Sequence, residues 1–294
     1  MKKIALATIL AAASIAVSAQ VTVYGKMRVY QESVTAGSAS AVTALTNDSS
    51  RLGFKGTEAL SSGLSANFTI ETGVGADAPA ATTLGDRTML VGLSNQFGSV
   101  SVGRDKHTIA RTLDNFDAMG NAYGSSAAVI HAAQGSRFGN AVFASVTPVP
   151  GLTANYANSN SEATGVTNAY AASIEFTRGP VSATVANFDN GTTSTSTIYG
   201  AKVKIAPTDT TVFALYSDDK VAGVTSIGKS IGVNQLVSSA WTVLANYGTN
   251  DTTKAVDLGA SYSLSKRTSV HARYVKEDAV ATTTKYALGL EHNF

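Results

Sequence analysis

Three constellations in this chain have residue types and spacings that chemistry can use, and two of them fail on context. Gly223-Val-Thr-Ser-Ile-Gly228-Lys229-Ser230 fits the glycine-rich phosphate loop in full. That loop cradles phosphate only between a strand and the start of a helix. Here Ile231-Gly232-Val233-Asn234 continues as strand, so no nucleotide is expected. The four histidines, His107, His131, His271 and His292, have no metal-site spacing. No Gly-x-Ser-x-Gly elbow supports a serine nucleophile. Catalytic residues, metals and cofactors are therefore not expected. Charge is the third constellation: the basic residues Lys26, Arg28, Arg51, Lys55 and Arg137 and the acidic residues Asp114 and Asp117. Fixed charges around a narrow, low-dielectric passage concentrate the opposite ion. Such a passage needs a wall.

The wall is written in period two. Val21, Val23, Met27 and Val29 alternate with Thr22, Tyr24, Lys26, Arg28 and Tyr30. Leu64, Ala66, Phe68 and Ile70 oppose Ser65, Asn67, Thr69 and Glu71, and Val256, Leu258, Ala260, Tyr262 and Leu264 oppose Asp257, Gly259, Ser261 and Ser263. Successive strand side chains point to opposite faces, so each segment has one apolar and one polar face. About 16 such segments start near residues 20, 49, 63, 86, 98, 136, 152, 168, 180, 194, 209, 225, 239, 253, 266 and 281. Gly, Pro, Asn and Asp punctuate them, as in Arg178-Gly179-Pro180 and Asp189-Asn190-Gly191. No helical period competes outside the extreme N-terminus. One stretch escapes the alternation: residues 105–135, a connection long enough to imply a role.

The N-terminus reads as a leader. Lys2 and Lys3 precede an apolar run over residues 4–17, and Val17-Ser18-Ala19 presents small residues before Gln20. Residues 1–19 are thus a signal peptide cleaved before Gln20, and residues 20–294 are the mature chain. Loss of Lys2 and Lys3 lowers the 22 basic residues to 20, against 20 acidic. A neutral chain does not suit a nucleic acid partner. Only 14% of residues are charged and mean hydropathy is +0.08, too polar for a bundle of membrane helices. The absence of cysteine excludes a disulfide framework. Sixteen strands in one domain are too many for a single sandwich. Export with dyad alternation fits a membrane barrel, apolar face to lipid and polar face to a water-filled lumen.

Four stretches resemble the Gram-negative general porins, in particular those of β-proteobacteria. They are Gln20-Val-Thr-Val-Tyr-Gly25, Ser50-Arg51-Leu52-Gly53-Phe54-Lys55-Gly56-Thr57-Glu58, Val91-Gly92-Leu93-Ser94 through Val102-Gly103-Arg104, and Gly289-Leu290-Glu291-His292-Asn293-Phe294. The resemblance spans the mature chain in order. It implies an all-β fold, a 16-stranded antiparallel transmembrane β-barrel whose third loop, about residues 105–135, folds into the lumen. It also implies a homotrimer in the outer membrane, in contact with lipid and lipopolysaccharide and passing small hydrophilic solutes. Substrate-selective channels for organic acids, and plugged barrels serving as adhesins or structural anchors, are the alternatives on this fold.

Alternation points Arg51, Lys55, Lys26 and Arg28 into the lumen, with Lys202, Lys204 and Arg273. The resemblance places Arg51 and Arg137 on the basic wall of a constriction and Asp114 and Asp117 on its acidic loop side. Net neutrality and Thr88 on the wall leave a mild anion preference. Arg87 shares parity with Met89, Val91 and Leu93 and so is expected to face lipid. One extra residue between Asn140 and Pro148 predicts a bulge. Phe294, a terminal aromatic closing an alternating strand, resembles the signal read by the outer-membrane assembly machinery.

Overall fold

The computed structural model describes residues 20–77, 83–120, 122–131 and 137–294. The leader and its cleavage site at residues 1–19 lie outside the described residues, as do 132–135 of the expected third loop. The chain is almost entirely strand. In order come β1 (Gln20–Ala36), β2 (Val42–Asn47), β3 (Arg51–Ala59), β4 (Ser65–Gly73), β5 (Thr88–Asn95) and β6 (Gly98–Lys106). After the long loop follow β7 (Arg137–Val149), β8 (Leu152–Ser159), β9 (Ala169–Arg178), β10 (Val181–Asp189), β11 (Ser194–Ile205) and β12 (Thr210–Val221). The last five are β13 (Val224–Leu236), β14 (Trp241–Thr249), β15 (Lys254–Ser263), β16 (Thr268–Asp278) and β17 (Thr282–Asn293).

From β3 onward each strand pairs antiparallel with the next, and β1 pairs with β17, closing the sheet. Both β2 and β3 pair with β1, β2 along Val29 to Val34 and β3 along Gln20 to Lys26. They are one strand interrupted at Asp48, Ser49 and Ser50, where Ser49 adopts φ 58°. The barrel wall therefore has 16 strands. Two register shifts mark β7, one opposite Gly103/Asp105 and one between Val146 and Val149. The second is the bulge expected before Pro148; at the first, Asn140 takes φ 49°.

Burial separates the two faces. Val91, Val185, Ile231, Leu258 and Leu288 are exposed on the outside, where lipid covers them. Aromatic pairs lie on this outer face: Tyr199 with Tyr216, Tyr274 with Tyr286, and Trp241 with Tyr262. No described helix is long and apolar enough to cross a membrane; the strands do so.

The third loop is not irregular throughout, as the sequence pattern had suggested. It carries α1 (Thr108–Phe116) and α2 (Ser126–Ile130). Ile109, Leu113 and Phe116 recur at helical spacing and are buried. They pack on the lumenal side of β8 to β12, where Ala157, Ala171, Ala186, Ile198 and Leu215 replace polar groups. Burying three such side chains stabilises the docked helix by roughly 1.5–3 kcal/mol each. Gly200 makes the approach possible, because a Cβ there would stand 2.8 Å from the Phe116 ring.

The lipid-facing assignment predicts that Leu258→Arg lowers the unfolding free energy by about 2–4 kcal/mol. Ser101→Arg, on the lumenal face, should leave it within about 0.5 kcal/mol. Denaturant titration in micelles, followed by heat-modifiable gel mobility, checks the contrast.

Candidate pore constriction

Strands β1 and β3 to β7 and the loop surround a lumenal cleft of about 330 Å³. Lys26 and Arg28 of β1, Arg51 of β3, Arg87 and Thr88 at the start of β5, Lys106 of β6 and Arg137 of β7 form its wall. Asp114 of α1 and Gly120 face them from the loop. Glu71 and Asp105 complete the lining, so six basic side chains meet three carboxylates.

Glu71 organises the basic side. Its carboxylate accepts Arg51 Nε at 3.2 Å and Arg87 Nε at 2.7 Å, and the Tyr24 hydroxyl donates to it at 3.2 Å. Asp105 holds Arg111 and accepts the Thr88 hydroxyl at 3.0 Å. Lys106 reaches Asp114 at 2.5 Å. Lys26 and Arg51 stand directly opposite each other across β1 and β3. Like charges at that position cost stability, a cost expected where a charged surface serves solutes rather than packing.

The structure brings Lys26, Arg28, Arg51, Arg137 and Asp114 to one cleft and separates three other residues from it. Arg28 reaches the cleft with its charge engaged, between Asp48 at 2.8 Å and Glu291 at 3.1 Å. Lys55 faces inward but lies farther down β3, its ammonium 5.3 Å from the Tyr24 ring centroid. Asp117 does not line the cleft, contrary to expectation. It is 4% exposed, takes Ser125 Oγ at 2.6 Å, and binds Asn246 Nδ2 of β14 at 3.0 Å. Its carboxylate ties the loop to the wall. Phe294 sits outside the barrel at the seam, exchanging backbone hydrogen bonds with Gly25 at 3.0 and 3.1 Å.

Arg87 overturns its expected lipid-facing placement. Strand β5 starts at Thr88, so strand parity does not extend to Arg87. Its side chain turns inward to Glu71. Glu71, Asp105 and Lys106 carried no signal beyond their place on a polar face or at a loop boundary. The phosphate-loop match lies in the β12–β13 turn and in β13, with no helix after it.

Beyond Asp117, the loop is pinned at separate points. Tyr123 stacks on Tyr30 at 4.5 Å, donates its hydroxyl to Glu32, and its N–H reaches Asp48 at 2.8 Å. The Ser126 N–H donates to Asp257 of β15. His131 closes α2, its Nδ1 2.7 Å from Ser217 Oγ and its Nε2 3.1 Å from Ser230 Oγ. Ser217 spends its only proton on Asp219 at 2.7 Å. It therefore accepts from Nδ1–H, and Ser230 donates to Nε2. The ring is held neutral, and burial pushes its pKa down to about 4.

A model of the Gram-negative porins matches residues 5–282. The chain belongs to the Gram-negative porin family. It is an outer-membrane porin, and the barrel interior is the route for small hydrophilic solutes and ions. Solved structures agree on the fold. An anion-selective porin from Comamonas acidovorans is 20% identical with TM-score 0.83, over 94% of this chain and all of that one. OmpF of Salmonella typhi, in complex with daunomycin, is 16% identical with TM-score 0.77, over 95% and 98%. The trimer form of OmpT, an outer membrane protein of Vibrio cholerae, is 13% identical with TM-score 0.73, over 94% and 99%. No curated protein gives a significant match.

The His131 contacts predict acid loosening of this porin's loop. Unfolded, the ring titrates near 6.5; docked, near 4. The undocked loop binds the proton first, so docking is at full strength above about pH 6.5 and weakens as pH falls toward 4, by up to roughly 3 kcal/mol. Limited proteolysis of the loop should accelerate across that window in the native protein, and His131→Gln should flatten the dependence.

Proposed function

We propose that this porin is a passive diffusion channel with a mild anion preference, set where the third loop narrows the lumen. The excess of basic over acidic side chains around the cleft supports the reading. Arg51, Arg87, Lys26 and Arg137 form its attractive wall, and Asp114 is its acidic counterpart. In this reading Glu71 restrains the preference, because one carboxylate offsets two guanidinium groups that would otherwise hold solute anions. Arg28, already paired twice, contributes structure more than attraction, and Lys55 acts below the narrowest point. Permeation needs no conformational cycle and no catalysis, cofactor or metal: width excludes large solutes and charge biases small ones.

The same reading includes three features of assembly. Residues 1–19 direct export and are removed. Phe294 is the recognition element for the outer-membrane assembly machinery. The functional unit is a homotrimer embedded in lipid and lipopolysaccharide, an assembly suggested by the trimer form of the Vibrio cholerae relative.

Single-channel recording under a KCl gradient tests the reading. Ohmic steps are expected, with a reversal potential on the chloride side. Paired Arg51→Ala and Arg87→Ala should lower the chloride-to-potassium permeability ratio about two- to fivefold, the scale of a partly screened charge. Glu71→Gln should raise it. A cation-selective wild type would overturn the assignment of Arg51, Arg87 and Arg137.

A further inference from the structure

A second cavity, of about 420 Å³, lies below α1 against the lumenal face of β5 to β9. It shares Asp105, Lys106 and Asp114 with the constriction cleft, so solute leaving one enters the other. Its chemistry differs. The basic groups at its rim are already matched, Arg111 to Asp105 and Lys106 to Asp114. Below the rim, strand register sets hydroxyls and amides in one inward row. Ser94 stands opposite Ser99, Ser99 opposite Ser145, Ser145 opposite Asn155, and Asn155 opposite Ser173. Adjacent strands lie about 4.8 Å apart, so the row offers a polar group at each step along the wall.

Each end of the row is engaged with its neighbours. Asn67 donates to Ser94 at 3.1 Å, and Asn155 to Ser173 at 3.1 Å and Glu175 at 3.2 Å. Ser99, Ser101 and Ser145 make no side-chain hydrogen bond to any described residue and border the cavity. Phe143, opposite Ser101 in the next row up, and Leu90, one row beyond it, supply apolar surface. Free hydroxyls, an acceptor carboxylate at Glu175 and an aromatic flank, in a pocket of small-ligand size, suit a solute with hydroxyls on its edge and C–H groups on its face.

We propose that this cavity is a saccharide subsite, holding one pyranose ring by hydrogen bonds to Ser99, Ser101, Ser145 and Glu175 and by contact with Phe143. The proposal rests on the porin reading and goes beyond it. A passive pore with such a shelf conducts neutral sugars through a weak, saturable site, while the cleft above sorts ions by charge.

Maltose titrated against single-channel KCl current tests this. The expected result is saturable current reduction in the millimolar range. Ser99→Ala with Ser145→Ala should weaken it about two- to tenfold, the range of one or two hydrogen bonds. Phe143→Leu should weaken it similarly, and each variant should keep the wild-type KCl conductance and reversal potential. A decrease linear in maltose and matched by glycerol of equal viscosity overturns the subsite and leaves the porin reading intact. So does equal saturable reduction in wild type and variants. Absence of KCl conductance in folded, heat-modifiable protein removes both.

Discussion

Lipid offers no hydrogen bonds, so every backbone N–H and C=O in the membrane must find its partner in the chain. Closure of β1 on β17 meets that demand, down to the exchange between Gly25 and Phe294 at the last residue. The rest follows from closure. With no free edge and a side-chain period of two, half of each strand must suit lipid and the other half must suit whatever fills the barrel. The apolar residues of this chain therefore lie outside, the inverse of a soluble core.

The lumen is built of two materials. Along β7 to β12 its wall carries a patch of Ala, Ile, Leu and Phe, and α1 lies on that patch with His107 between Phe138 and Phe188, 4.9 Å from each ring. Along β1 to β7 the wall is charged. The loop covers the greasy side and leaves the charged side wet, so one short segment both narrows the passage and decides which wall solutes meet. Its many small anchors, each a buried polar pair or a single ring, keep the aperture fixed without one dominant bond.

Much of this was legible in sequence. Period two placed the strands, including Arg51 and Lys55 on an inward face, because register in a closed barrel couples every residue to the same pleat. What sequence hid was local. Arg87 precedes the strand whose parity it was assigned. Asp117 looked like Asp114, but its bonds to Ser125 and to Asn246, the latter 129 residues away, make it structural. The helical period of α1 spans nine residues amid alternation, too short to stand out. The inner apolar patch is drawn from one or two residues on each of six strands, which no one segment reveals.

Arg28 links three parts of the structure that lie far apart in the chain. Its guanidinium joins Glu291 on the closing strand to Asp48 at the break between β2 and β3, and the same Asp48 oxygen accepts the Tyr123 N–H of the loop. Until the first and last strands meet, the arginine lacks one of its two carboxylates and the loop's docking point is not fixed. The closing seam, the break in the second wall strand and the loop thus share one guanidinium–carboxylate junction. A change that loosens the seam is therefore felt at the aperture as well.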